Sequence, residues 1–161
     1  MLTAPDDHQL AQILPGDWKI VATNFPMWLT GERSDPTFSY RLISENPLVL
    51  GDDVSYTTAA GVRKHLLGVD RWKGRDFTWR GKGLTRLVAS SWSVPGVNVA
   101  GTIAAIRFSK SLVSPAGIDI VVRADADFPE PRAAVATESQ RFGLTAEDFA
   151  SLTWLDRLPV S

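Results

Sequence analysis

Few residues of this chain can do acid–base, nucleophilic or metal chemistry. Histidine occurs twice, at His8 and His65, and cysteine is absent. Thiolate metal sites, redox dithiols and disulfides are therefore excluded. Two histidines alone fall short of the three or four ligands of a zinc site. The sequence has no His-Glu-x-x-His, no Gly-x-Ser-x-Gly and no P-loop pattern. A serine triad would have to run through His65, and nothing marks a partner serine. Asp52-Asp53 supplies two carboxylates, but adjacent strand residues point to opposite faces, which makes a poor dyad. Gly81-Lys82-Gly83 is glycine-rich, yet reads more simply as a hairpin turn.

Binding chemistry is better represented. Aromatic residues are plentiful along the strand-like runs: Phe38, Tyr40, Tyr56, Trp72, Phe77, Trp79, Trp92 and Phe108. Walls of this kind, with a few polar handles, suit an apolar ligand, although each ring alone could simply fill a core. Trp28 stands between Met27 and Leu29 in a Gly- and Pro-punctuated segment, as part of a lid or of a hydrophobic plug. Arg107 shares a face with Ile103 and Ala105. Pointing inward, it would grip a ligand carboxylate through two parallel hydrogen bonds. His65 shares a face with Leu67 and Val69, with Arg63 and Arg71 at its ends. It would be the titrating group of an interior, or lie in solvent. The small residues Ala89, Ser91 and Ser93, and Ala104 or Ala105, would leave room for a ligand if they faced inward.

These residues sit on a regular series of short extended runs. Alternation and turn chemistry predict eight strands, at 17–25, 38–44, 48–58, 62–72, 77–80, 86–94, 102–109 and 118–123. The breaks between them are Gly-, Pro- and Asn-rich, except that 26–36 makes an eleven-residue loop. Consecutive hairpins without crossover helices favour an antiparallel up-and-down barrel, which leaves no exposed edge. An N-terminal capping box, Asp6 to Gln9, opens a short helix that Pro15 stops. A second box, Asp127 to Glu130, predicts a helix to Phe142 with Gly143 as its left-handed terminator. Thr145 to Phe149 suggests another helical turn, and 152–155 a last strand.

Leu14-Pro15-Gly16-Asp17-Trp18 places a Gly-x-Trp at the mouth of the first strand, and Ile118 to Arg123 ends the last barrel strand in arginine before a helix. With the strand count, this resembles the lipocalin family of the calycin superfamily, in the form of a bacterial lipocalin-like protein. The resemblance covers nearly the whole chain. It implies an eight-stranded barrel whose closed end is crossed by Trp18, with Gly16 before it and Arg123 packed over it. Those three residues are structural. The family's Thr-Asp-Tyr is matched only at Asp119 in Gly117-Ile118-Asp119-Ile120. Fatty-acid-binding proteins and nitrobindins share the barrel and the Gly-x-Trp but lack the long helix. Related barrels bind haem through a late histidine, and this chain has none after His65.

One domain over 1–161 follows from length: a helical segment at 1–15, the barrel at 16–124, a helix at 127–143 and a tail at 144–161. Lys and Arg number 17 against 18 Asp and Glu, a net charge of -1, which argues against a nucleic-acid partner. No apolar run approaches the roughly 18 residues of a transmembrane helix. The opening residues lack a secretory pattern. With no cysteine, a cytoplasmic location is expected. The expected function is binding or transport of a small, mostly hydrophobic molecule that could carry a carboxylate. Its candidate contacts are Met27, Trp28, Tyr40, Tyr56, His65, Trp79, Trp92, Arg107 and Phe108. No cofactor and no metal is expected. The alternatives are an enzyme or haem protein acting through His65, and a filled barrel with a structural or interaction role. A homodimer stays open.

Overall fold

The computed structural model describes residues 3–85, 87–111 and 114–155, without the side chain of Leu84. Eight antiparallel strands follow one another round a closed ring: β1 Gly16–Thr23, β2 Arg33–Glu45, β3 Leu48–Thr58, β4 Arg63–Trp72, β5 Phe77–Gly81, β6 Ala89–Val97, β7 Ile103–Phe108 and β8 Gly117–Arg123. Each pairs with the next, and β8 returns to pair with β1. The lower half of β1, Gly16 to Lys19, pairs with β2 and completes the ring. Its upper end, Ala22 and Thr23, instead takes β9 (Thr153–Trp154) as a neighbour. The expected up-and-down barrel is thus the observed one. Arg86, the first residue of the expected sixth strand, lies outside the described residues, as do 156–161 of the tail.

Alternation sorts the side chains into two cores. The inner one holds Trp18, Ile20, Phe38, Tyr40, Leu48, Leu50, Phe77, Trp79, Trp92, Ala104, Ile106 and Val121. The outer one lies on β1, β7 and β8 and joins Val21, Ile103, Ala105, Ile118, Ile120 and Val122 to Val135, Phe142, Leu144 and Leu152 of the C-terminal segment. A bulge between Ile20 and Ala22 shifts the phase of β1, so that Val21 and Ala22 both join the outer core.

The helices differ from expectation in extent. Helix α1, Asp7–Ile13, carries the capping box of Asp6 and Gln9. The long helix predicted from Asp127 is only Pro131–Thr137 (α2), with Glu130 as an N-cap that makes no side-chain bond. Pro129 and Pro131 explain the late start, because a residue before proline is held out of the helical region; Phe128 and Glu130 are both so placed. Turns continue from Glu138 to Gly143, which is left-handed at φ 67°. Helix α3, Ala146–Ser151, has its own box in Thr145 and Asp148. The eleven-residue loop expected at 26–36 is shorter. Pro26–Trp28 forms a 3-10 turn, and β2 already begins at Arg33. A register shift between Ser34 and Thr37 absorbs Pro36, with Asp35 at φ 50°.

Candidate functional site

The two ends of the barrel differ. At one, Trp18 lies wholly buried and donates its indole N–H to the Leu14 carbonyl at 2.9 Å. The Arg123 guanidinium sits 4.7 Å above its ring, and Trp18 and Arg123 are direct register partners across β1 and β8. Arg123 also donates to the carbonyls of Ile13, Pro15 and Gly101. Gly16, at φ 127°, lets this happen: a Cβ there would lie 2.6 Å from the guanidinium. Helix α1, β1, β8 and the turn before β7 are therefore pinned by one side chain.

Above this plug the interior is open. A cavity of about 240 Å³ is lined by Phe25, Met27, Trp28, Phe38, Tyr40, Asp52, Val54, Leu66, Trp79, Thr85, Val88, Ser90, Trp92, Phe108, Ser114 and Asp119. Trp92 stacks on Phe77 at 4.5 Å and on Tyr40 at 5.5 Å. The 3-10 turn brings Trp28 over the mouth, edge-on to Tyr56 at 5.8 Å. Trp28 is buried and Met27 half exposed, so this segment both plugs the opening and lines the space below. On the far side Phe25 covers Gly117, where any Cβ would strike its ring, and meets Phe108 edge-on at 5.3 Å.

Besides hydroxyls, the cavity wall carries two carboxyls, Asp52 and Asp119, with Asp70 beside Asp52. Asp52, Asp70 and Asp119 are all buried. Asp52 faces Gly68 in the register of β3 and β4, which makes Asp70 its diagonal neighbour on the inner face. Asp70 accepts the Trp92 indole N–H at 2.9 Å. Burial pushes the Asp70 carboxyl up to about 6, opposed by hydrogen bonds with Asp52 and Trp92. Asp52 is pushed well above the usual carboxylate range, first by burial, then by the Asp70 charge and the hydrogen bond between them. Asp52 Oδ1 and Asp70 Oδ2 face no other donor. One proton shared by the pair satisfies both. Asp119 stands apart on β8. Burial pushes it up to about 7, with a Thr23 hydrogen bond pulling the other way. Its Oδ1 has no partner, and neither has Trp79 Nε1. Burial also raises the Tyr40 hydroxyl, helped by repulsion from Asp52, Asp70 and Asp119.

Several sequence expectations meet in this space. Met27, Trp28, Tyr40, Trp79, Trp92 and Phe108 all line it. Tyr56 stands at the rim between Trp28 and the Arg33 guanidinium, 4.9 Å over its ring. Two candidates are corrected. His65 points outward with half its side chain exposed and pairs with Asp53 at 2.9 Å, so a haem or an active site inside the barrel cannot use it. Arg107 also lies on the outer face, bound to Asp148 of α3 at 2.9 Å. Ala89, Ser91 and Ser93 face out as well, since Ser90 and Trp92 line the cavity; Ala104 belongs to the inner core and Ala105 to the outer. In sequence, Asp52 reads only as half of a poor dyad with Asp53 and Asp119 only as a family match, so no carboxyl is expected in the cavity, and Asp70 carries no motif. Their signal was a lone Asp in an apolar comb, as in Leu48-x-Leu50-x-Asp52-x-Val54. Among the described residues no group of three His, Cys, Asp or Glu is placed to hold a metal ion.

A barrel of eight consecutive antiparallel strands, closed by an arginine over a Gly-x-Trp indole, is the lipocalin fold, and the solved structures this chain is similar to bear that out. Lobster apocrustacyanin A1 superposes with TM-score 0.60 at 8% identity, over 96% of this chain and 87% of that one. A cockroach major allergen, Per a 4, gives 0.61 at 15%, over 92% and 87%. The amine-binding protein of Rhodnius prolixus, solved as a tryptamine complex, gives 0.60 at 10%, over 96% and 84%. No protein-family model and no curated protein matches the sequence.

Proposed function

We propose that this lipocalin-fold barrel binds and carries a small, mostly apolar molecule between the Trp92 stack and the Trp28 cap. The observation that supports it is the aromatic-walled cavity of about 240 Å³ above an otherwise close-packed plug. That volume lies below the ~300–1,000 Å³ of pockets for drug-sized ligands, which fits a molecule of one or two rings. Burying about 200 Å² of apolar ligand surface would contribute roughly 5 kcal/mol at ~25 cal/mol per Å², before the cost of immobilising it. A neighbour of the same fold was solved with tryptamine bound, a ligand of this size class. The absence of cysteine supports a reducing, cytoplasmic setting as part of the same proposal. No helix among the described residues is long and apolar enough to cross a membrane.

Native mass spectrometry of freshly purified protein, with organic extraction, tests the reading. A non-covalent adduct that extraction removes is expected, and the emptied protein should then bind neutral one- and two-ring compounds. A bare mass, together with no binding of such compounds at millimolar concentration, would sink it.

A further inference from the structure

Buried carboxylates are ordinarily accompanied by a cation. The described lining of this cavity contains Asp52 and Asp119 but no lysine, arginine or histidine. Asp52 and Asp70 account for each other through a shared proton, and Asp70 also accepts from Trp92. Asp119 is not accounted for. It is 1% exposed, Thr23 supplies a single hydrogen bond, and Oδ1 has no donor. Leaving a buried acceptor unpaired costs about 1–3 kcal/mol, more when it is charged. Phe25 and Phe108, in edge contact with one another, lie against Gly117, two residues from Asp119 on the same face of β8, and line the same cavity. Aromatic faces attract cations as well as apolar surface. A metal ion does not suit the site, since the carboxyls are spread along the cavity with no cluster of three ligands among the described residues. A ligand carboxylate would meet only like charge.

We infer that the ligand carries a protonated amine: a compact, one- or two-ring molecule whose ammonium donates to Asp119 Oδ1 while its apolar body lies against Phe25, Phe108 and Trp92. The inference rests on the carrier reading and specifies its ligand chemistry. The N–H replaces the missing donor. The positive charge sits in a cavity whose titratable groups, Tyr40 from β2, Asp52 from β3 and Asp119 from β8, are all neutral or negative, as is Asp70 of β4 beside Asp52.

Isothermal titration of the full chain at pH 8 with three probes of similar skeleton tests it: 2-phenylethylamine, 2-phenylethanol and 3-phenylpropanoate. The amine should bind at least tenfold tighter than the alcohol, and the propanoate weakest. Asp119→Asn should bring the amine to within about threefold of the alcohol. For the unaltered protein, amine affinity should fall more than tenfold between pH 8 and pH 5.5, as Asp119 takes up its proton, while alcohol affinity stays level. That profile serves if the variant does not fold. An alcohol that binds as tightly as the amine would overturn the inference and leave the carrier reading standing. Failure of all three probes to bind would overturn both.

Discussion

Asp119 links the chemistry of the cavity to the stability of the fold. Its folded-state pKa of about 7 lies above that of an unfolded aspartate. The folded state therefore holds the proton more tightly. The Asp119 contribution to stability is fully present below pH ~4, falls as pH rises through the interval to about 7, and is gone above it. Asp70, at about 6, acts in the same direction. Asp148 acts the other way: its pKa is lowered, first by its backbone hydrogen bond with Thr145, so the modest stability it contributes is present at neutral pH and lost in acid. We predict that Asp119→Asn is more stable than the original protein at pH 8, by up to about 4 kcal/mol at ~1.36 kcal/mol per pKa unit, and gains nothing at pH 4. Urea denaturation at both pH values checks this; an equal difference at the two would contradict it. Trp28→Ala should weaken 2-phenylethanol binding by roughly tenfold, about 1.4 kcal/mol, through loss of the cap; unchanged affinity in a fluorescence titration would remove Trp28 from the site. Residue types told part of this in advance. The aromatic wall was legible because rings on alternating strand positions have few other places to go. The facing of β4 was not, because its inward comb, Leu66-Gly68-Asp70-Trp72, is no more apolar than its outward one, His65-Leu67-Val69-Arg71.

At the scale of elements, the C-terminal segment turns a sheet face that would otherwise meet water into a second core. Helices α2 and α3 are too short to be stable alone; Val135 of α2 and the flanking Phe142, Leu144 and Leu152 are buried in the outer core on β1, β7 and β8, and Phe149 of α3 packs partly buried against it. Their caps should therefore matter. Thr145 accepts the Asp148 amide at 3.0 Å, and Asp148 accepts the Thr145 amide in return. Asp148 also holds Arg107 of β7. Thr145→Ala is expected to cost about 1 kcal/mol, read as a lower denaturation midpoint with an unchanged slope. This cover also explains why strand faces were hard to assign from sequence. Ile118-Asp119-Ile120-Val121-Val122 is apolar outward as well as inward, so a buried acid there left no contrast to read. Helix starts were legible where a capping box stood free, as at Asp6, and misread where Pro129 and Pro131 overrode one at Asp127.

For the whole molecule, the ring and its closed end were the most legible features. Eight short runs with turn chemistry between them imply closure, and Gly16, Trp18 and Arg123 form a three-way contact that only a closed ring permits. Arg123→Ala should leave three carbonyls without this donor. The expected loss is about 2–4 kcal/mol of stability, with little change in 2-phenylethanol affinity of the folded protein. Thermal melts and titration together check that split; a variant as stable as the original would mean that the plug holds without its arginine.

That ring also has a history in time. Of the pairings that close the ring of β1 to β8, all but one join strands adjacent in sequence and can form as local hairpins. The exception is β8 against β1, where Trp18 meets Arg123 from roughly a hundred residues away. Within the ring, the largest loop-closure entropy falls on this step, and the β1–β9 pairing adds a further long-range closure outside it. Folding is thus a run of quick local pairings followed by one slow latch. Trp18→Phe should show its effect there, in the slowest phase of a stopped-flow refolding trace, with the earlier phases unmoved.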